Sequence, residues 1–487
     1  MAKRKPSGRA PQAQHGKKST RSQHDKRKRL SAPNPDRVRT TEASVPLCGQ
    51  VKTMAESMSQ ALDARIGFRL PIVIAGMLLA SGRRTAASWF RAAGVNADWD
   101  CFYDLLASVG RSSVSLMPSV ARMIFKRFDP GPDGYWTFAV DDSPTKRYGR
   151  HVEAANIHHN PTAGPGDGEW LYGHNWVCLA VVLSHSLFGV IALSLLSMLY
   201  VRKDDIASLK SRYDWKFRTK HELALELCRK AIGIMRALGS KAKFVVTFDG
   251  AYAAKPLVRP LLADGVTIIT RLRRDAKLFD LPRARTGQRG RPRKYGVNRL
   301  SLKKRAGQRS GWETICYACR GIMVERKCKS FIATSEVFGG SIRVVIVEHS
   351  RGNWAAYASS DVSMSVEMIL TTVSNRWSIE EHFHDVKEIW GAGQQQVRNL
   401  YSNIGCWNLC GWLHAMVELE CWDAPKEQLV DRSDRPWDNP DRRPSHSDRR
   451  RQIARKMLRQ TFFDDLQNRP DKDKILERFE RLITLAA

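Results

Sequence analysis

Three acids in this chain, Asp141, Asp249 and Glu380, stand where carboxylates can be brought to one place. Asp141 and Asp249 each follow a short apolar run, Tyr135 to Val140 and Phe244 to Phe248, and a side chain at a strand end can face a shared cleft. Glu380 lies in a helical stretch with Arg376 four residues before it and Lys387 seven after, so the three fall on about one helix face. Carboxylate oxygens are the ligands that hard cations such as Mg²⁺, or Mn²⁺, prefer. Two such ions about 4 Å apart can stabilise both the attacking and the leaving oxygen of an in-line displacement at phosphorus. The chemistry within reach is metal-dependent cutting or joining of phosphodiesters. Asp141, Asp249 and Glu380 would be the metal ligands, with Arg376 and Lys387 placed for phosphates.

Each piece alone has an ordinary reading. An acid ending a strand is most often a turn former or helix cap, and Arg376 with Glu380 fits a surface i, i+4 ion pair. The combination carries the inference. Asp142 is adjacent to Asp141 and points to the opposite face of the strand. Glu381 competes with Glu380, and the Arg and Lys spacing selects Glu380. Cys316-x2-Cys319 with Cys328 has no fourth ligand at useful spacing for zinc and reads as a strand pair. Cys406, Cys410 and His414 fall at i, i+4, i+8 on an apolar helix and read as buried small side chains. His174, Trp176 and Trp390 could line either the core or a groove.

The elements that must position the acids follow from patterning. Val177 to Leu183 and Val190 to Leu193 read as buried strands joined by a tight turn. Thr219 and Glu222 form a capping box ahead of apolar positions Leu223, Leu227, Ile234 and Leu238, and Gly239 marks the stop. Strands, a helix and an acid at a strand end make an α/β layer with its acids on one edge. The alternation is expected to stop after Asp249, giving way to a β-rich, basic insertion over 263–362 that precedes Glu380. Helical periodicity resumes over 363–422. Residues 423–487 read as a linker followed by helices near 448–466 and 472–485. Ahead of the α/β part, 131–262, a helical region over 52–130 carries Gly82 to Arg91, a turn running into a basic helix. It is expected either to bind DNA or to form a helical layer on the next domain. Residues 1–45 read as a disordered basic tail.

Charge points to the partner. The chain carries +31 overall, and residues 1–40, with thirteen Lys/Arg and two Asp, account for +11 of it. The remaining +20 makes the folded part basic in its own right, as a protein that holds a phosphate backbone should be. Arg289-Gly290-Arg291-Pro292-Arg293-Lys294 resembles the minor-groove element called an AT-hook, and its plainer reading is a basic loop on the DNA backbone. Trp176 to Tyr200 holds no formally charged residue, yet His185 to Gly189 interrupts it as a turn, which favours strands over a membrane span. Ten cysteines without regular spacing, and no apolar signal segment at the start, lead to the expectation of a cytoplasmic, nucleoid-associated protein.

These residues resemble the bacterial insertion-sequence transposases that carry a DDE triad on an RNase H-like fold. The likeness spans roughly residues 60 to 420. Asp141-Asp142-Ser143 looks like the first acid of that family, whose pattern of Asp, any residue, then Ser/Thr favours Asp141. Asp249-Gly250-Ala251-Tyr252 looks like the second acid, and Asn375 to Glu381 with Lys387 like the third. The R-x3-E-x6-K spacing is similar to the branch with a Tyr-Arg-Glu-Lys signature, although the tyrosine position falls on Val373. The resemblance implies an α/β, RNase H-like catalytic domain with a β-rich insertion before the glutamate, flanked by helical regions. It also implies Mg²⁺-dependent cleavage of element ends, joining to target DNA, and at least a homodimer on DNA. A non-catalytic, domesticated DNA-binding protein and a nuclease that cuts without joining are the alternatives.

Overall fold

The computed structural model describes residues 40–160, 168–283, 293–350, 352–430, 437–439 and 441–466, with isolated positions between 473 and 479. Among the described residues twelve strands form one mixed sheet. They are β1 (Tyr135–Lys146), β2 (Asn156–His159), β3 (Trp170–His185), β4 (Gly189–Tyr200), β5 (Lys243–Phe248), β6 (Thr267–Leu272), β7 (Leu278–Phe279), β8 (Arg299–Leu300), β9 (Glu313–Cys319), β10 (Ile322–Ser335), β11 (Gly340–Ser350) and β12 (Asn353–Ser359). The order runs β2-β3-β1-β5-β6-β12-β11-β10-β7-β8, with β4 beside β3 and β9 beside β10. Among the described residues only β1, β5 and β6 pair in parallel; the other pairings are antiparallel.

Burial explains the composition of these strands. From Gly173 to Val182 every residue of β3 is buried, and successive side chains point to opposite faces, so both faces of the strand are covered. The uncharged stretch 176–200 is thus a long hairpin inside the sheet. Among the described residues no helix is long and apolar enough to cross a membrane.

The helices are α1 (Gly49–Ser59), α2 (Ala64–Gly67), α3 (Arg69–Leu79), α4 (Ala86–Ala92), α5 (Trp99–Arg111), α6 (Ser113–Phe128), α7 (Ile206–Tyr213), α8 (Lys220–Ala237), α9 (Lys255–Ala263), α10 (Leu302–Gly307), α11 (Val366–Asn375), α12 (Ser378–Glu388), α13 (Leu400–Glu420), α14 (Lys426–Leu429) and α15 (His446–Leu466). α13 is apolar on every side and buried along nearly its whole length, as a helix surrounded by protein must be. It packs on β4 and crosses α5 so closely that a Cβ on Gly110 would overlap the Tyr401 carbonyl, and one on Gly405 the Leu106 carbonyl. α8 starts with the expected capping box, both halves formed.

Three features depart from the sequence reading. The alternation continues past Asp249 through α9 into β6, which pairs in parallel with β5. The antiparallel strands then extend the same sheet through β12 beside β6. Residues 40–45, the described part of the expected tail, are tied down: Thr40 Oγ1 donates to Asn96 (3.1 Å) and Ser44 N to the Ala93 carbonyl (3.0 Å). Residues 1–39 and most of the expected helix at 472–485 lie outside the described residues.

Candidate active site

Strand register brings the first two acids together. β1 and β5 run in parallel with Val140 opposite Phe248, so the next residue on each strand, Asp141 and Asp249, leaves the pair at the same level. β5 ends there. β1 does not, contrary to the expectation that it stops at Asp141: it stays paired with β3 as far as Lys146, and Asp141 faces Cys178 across that ladder. Asp141 therefore sits on a continuous strand whose other neighbour has just departed, which opens a notch at the carboxyl end of the parallel pair.

The third acid arrives on α12. The expected single helix is broken at Arg376–Trp377 into α11 and α12, but the intervening backbone stays helical in φ and ψ, so the i, i+4 relation of Arg376 to Glu380 survives. Glu380 lies in the first turn of α12, where the helix dipole favours an anion. Arg376 bridges the two acids. Its Nη1 donates to Asp141 Oδ2 at 2.6 Å and its Nη2 to Glu380 Oε1 at 3.0 Å. The Asp141 side chain is 17% exposed and that of Arg376 15%. Burial pushes the Asp141 carboxyl up to about 7; Arg376 opposes this, and the charges of Asp249 and Asp142 add to it.

Asp249 is half-buried, and its Oδ1 accepts from the backbone of Ala251 (2.8 Å) and Tyr252 (3.3 Å). That is the turn-forming role expected of an acid after a strand, here held beside a second carboxylate. Asp142 is used elsewhere. Lys220 Nζ donates to its Oδ2 at 2.6 Å and the Tyr252 hydroxyl to its Oδ1 at 3.0 Å. The two adjacent acids thus go separate ways, Asp141 to Arg376 and Glu380, Asp142 to Lys220 and Tyr252. Sequence reasoning missed Lys220 and Tyr252. The capping box at Thr219 marks the start of α8, and so Lys220, while the contact of that helix end with Asp142 is tertiary and leaves no local signal.

The remaining expected residues are scattered. Lys387 is half-buried, and burial lowers its ammonium below the usual range, with Cys178 pulling the other way. Arg293 and Lys294 are exposed, while Arg289 and Arg291 lie outside the described residues. Val373, at the signature tyrosine position, packs against a small apolar cluster. His174, Trp176 and Trp390 are core: Trp176 stacks on Trp407 at 5.1 Å, and Arg147 Nε donates to His174 Nδ1 at 3.2 Å. Cys316 lies opposite Glu325 and Cys328 opposite Glu313 in a strand pair.

The three acids offer only oxygen donors, a set suited to hard divalent cations. Arg376 already places a positive charge between Asp141 and Glu380, and Asp141 is a buried acid that lacks enough of it. The donor types fit such an ion, while the oxygens of Asp141, Asp249 and Glu380 do not all lie within 4.8 Å of one another, Arg376 standing between two of them. Glu380, but neither aspartate, also lines a cleft of about 780 Å³ that runs past Glu381 to Arg442, Arg443 and Arg449.

Residues 57–321, more than half of the chain, match the family described as DDE superfamily endonuclease. The matched segment contains Asp141 and Asp249 and ends before Glu380. No curated protein matches the chain. Among solved structures, the cryo-EM structure of a piggyBac transposase synaptic complex with hairpin DNA is similar at a TM-score of 0.36. That likeness covers 89% of this chain and 75% of the other, at 10% identity.

Proposed function

The chain belongs to the DDE superfamily of endonucleases, and from that premise we propose that it is a DNA transposase of the insertion-sequence type, of the bacterial branch with the Tyr-Arg-Glu-Lys signature. It nicks the ends of its element with water and then uses the freed 3′-OH to attack target DNA. One observation carries this reading: Asp141 and Asp249 lie at one level past two parallel strands, and Glu380 is tied to Asp141 through Arg376. The layout that goes with it is an RNase H-like core from 131–262 and 363–422, a β-rich insertion at 263–362, and a DNA-contacting helical region at 52–130.

Asp141, Asp249 and Glu380 are the residues that would hold Mg²⁺ or Mn²⁺, which when bound neutralises charge developing on the reacting oxygens. The chain's own residues do the rest. Arg376 lets the largely buried Asp141 and the partly exposed Glu380 approach without repelling one another. The turn at Asp249 to Tyr252 fixes the direction of the second carboxylate, and β1 fixes that of the first. Lys387, drawn partly out of water, offers a weakly screened charge to an end phosphate. Arg293 and Lys294, with Arg289 and Arg291, follow the DNA backbone or minor groove. The partners are duplex element ends and duplex target, in the nucleoid of the cytoplasm. Two copies act together, because two ends must be joined in one event.

The reading is tested by incubating the protein with Mg²⁺, DNA carrying the gene's own flanks and a supercoiled target, beside Asp249→Ala and Glu380→Ala. Joined product from wild type alone, with DNA binding kept by both variants, is the expected result. Cleavage without joining would make the protein a nuclease of the same fold. Activity that survives both substitutions sinks the assignment of these acids.

A further inference from the structure

Three helices meet behind Glu380 with an unusual concentration of histidine. α12 contributes His382 and Asp385, α13 His414 and Glu418, and α15 His446 and Arg449. The three histidines and Glu418 are almost fully buried. The His414 ring stacks on that of His446 with centroids 4.1 Å apart, and His382 meets it edge-on at 4.5 Å. Buried polar atoms normally find partners. Here Nδ1 of His382, Nδ1 of His414 and Oε2 of Glu418 make no hydrogen bond.

The ligand atoms have nearly the spacing of a coordination site, which an ion completes once the stacked His414 and His446 rings turn so that each lone pair points at it. Ligand atoms of Asp385, His414 and His446 all lie within 4.8 Å of one another, the one such grouping among the described residues. Asp385 Oδ2 and His414 Nε2 stand 3.5 Å apart, long for a charge-assisted hydrogen bond. The separation is close to the edge, roughly 3.4 Å, of a tetrahedron whose ligands lie about 2.1 Å from zinc. His446 also has an outer partner. Its Nδ1 donates to Glu418 Oε1 at 2.5 Å, and Arg449 donates to the same oxygen from Nε (3.0 Å) and Nη2 (2.7 Å). A carboxylate on one nitrogen of a histidine fixes the tautomer and makes the other nitrogen a stronger metal ligand.

We propose that Asp385, His414 and His446 bind a divalent ion of the zinc class, at a site separate from the three acids at the strand ends. Two imidazoles and one carboxylate suit zinc over magnesium, whereas an all-carboxylate set favours magnesium. Three protein ligands leave a fourth position, and all three line the cleft that Glu380 lines. With the Nδ1 hydrogen directed at Glu418, His446 presents the lone pair of Nε2 to the ion. One hydrogen bond competes: Trp390 Nε1 donates to His446 Nε2 at 2.9 Å, and the ion takes over that lone pair. By joining α12, α13 and α15 at one point, the ion acts as a positioning element for the helix that carries Glu380. The inference does not depend on the acids being catalytic.

The test is the metal content of the purified full-length protein. Wild type and an Asp141→Asn/Asp249→Asn/Glu380→Gln variant are equilibrated with Zn²⁺ or Co²⁺ in a large excess of Mg²⁺, and bound metal is measured by mass spectrometry. Near-stoichiometric zinc in both is expected, with a tetrahedral visible spectrum for Co²⁺. His414→Ala is expected to bind roughly tenfold or more weakly. Asp385→Asn, which keeps the size of the side chain, serves the same purpose where the alanine variant fails to fold. Trp390→Phe removes the competing N–H and is expected to tighten zinc, an effect that a purely structural role for the histidines does not produce. The proposal is overturned by a wild type that takes up neither ion, by zinc lost with the three acids but kept in Asp385→Asn, or by unchanged affinity in Trp390→Phe.

Discussion

Asp141 is a carboxylate held largely out of water with one guanidinium for compensation. Its carboxyl is raised from 3.8 to about 7, with burial the main cause, so between those values the folded chain binds a proton that the unfolded chain has released. Ionising Asp141 therefore subtracts stability as pH rises through this window, and the whole cost is present above about 7. With a chelator present, Asp141→Asn is expected to stabilise the protein at pH 8 by at most roughly 2–4 kcal/mol and to change little near pH 4. Urea midpoints at the two pH values check this. An asparagine variant that is less stable at pH 8 would mean that the Arg376 pair outweighs burial. In the proposed function such a buried acid suits a divalent cation, because added positive charge offsets the cost of ionising it.

At the scale of elements, the close crossing of α5 and α13 decides how α13 sits on β4. Gly405 is buried in the middle of α13, where alanine would ordinarily be the better helix former by about 1 kcal/mol. Its Cβ has nowhere to go, because the Leu106 carbonyl fills the space. Gly405→Ala is accordingly expected to cost about 1–3 kcal/mol, seen as a lower melting temperature, and a neutral or stabilising outcome would refute the close crossing. Several elements were legible beforehand for local reasons. β1 and β5 announce themselves as apolar runs ended by acids, and α8 by its capping box. What could not be read locally is the register that sets Asp141 beside Asp249, since pairing is decided by residues far apart in sequence. α9 and β6 were missed; α9 holds Pro256 in its first turn, where proline is tolerated, and Pro260 near the end of a short helix. The His382, His414 and His446 grouping was invisible for the same reason as the register. On its own helix His414 has Cys406, Cys410 and Glu418 as neighbours of interest, and Asp385, His382 and His446 arrive from α12 and α15.

At the scale of the whole molecule, a strongly basic chain carries Asp141 and Asp249 at one level of the adjacent interior strands β1 and β5 of a mixed sheet. In the proposed function the two features are complementary, because the basic surface holds the DNA backbone and the acids act on one phosphate of it. The central claim is that Asp141, Asp249 and Glu380 hold a divalent cation together, and the most direct measurement replaces that cation with Fe²⁺. Ascorbate and peroxide then cut the polypeptide wherever iron is bound. Cuts next to Asp141, Asp249 and Glu380 that Mg²⁺ suppresses and Asp249→Ala abolishes are the expected result. Cutting that avoids all three positions, or that persists unchanged in Asp249→Ala, would contradict it.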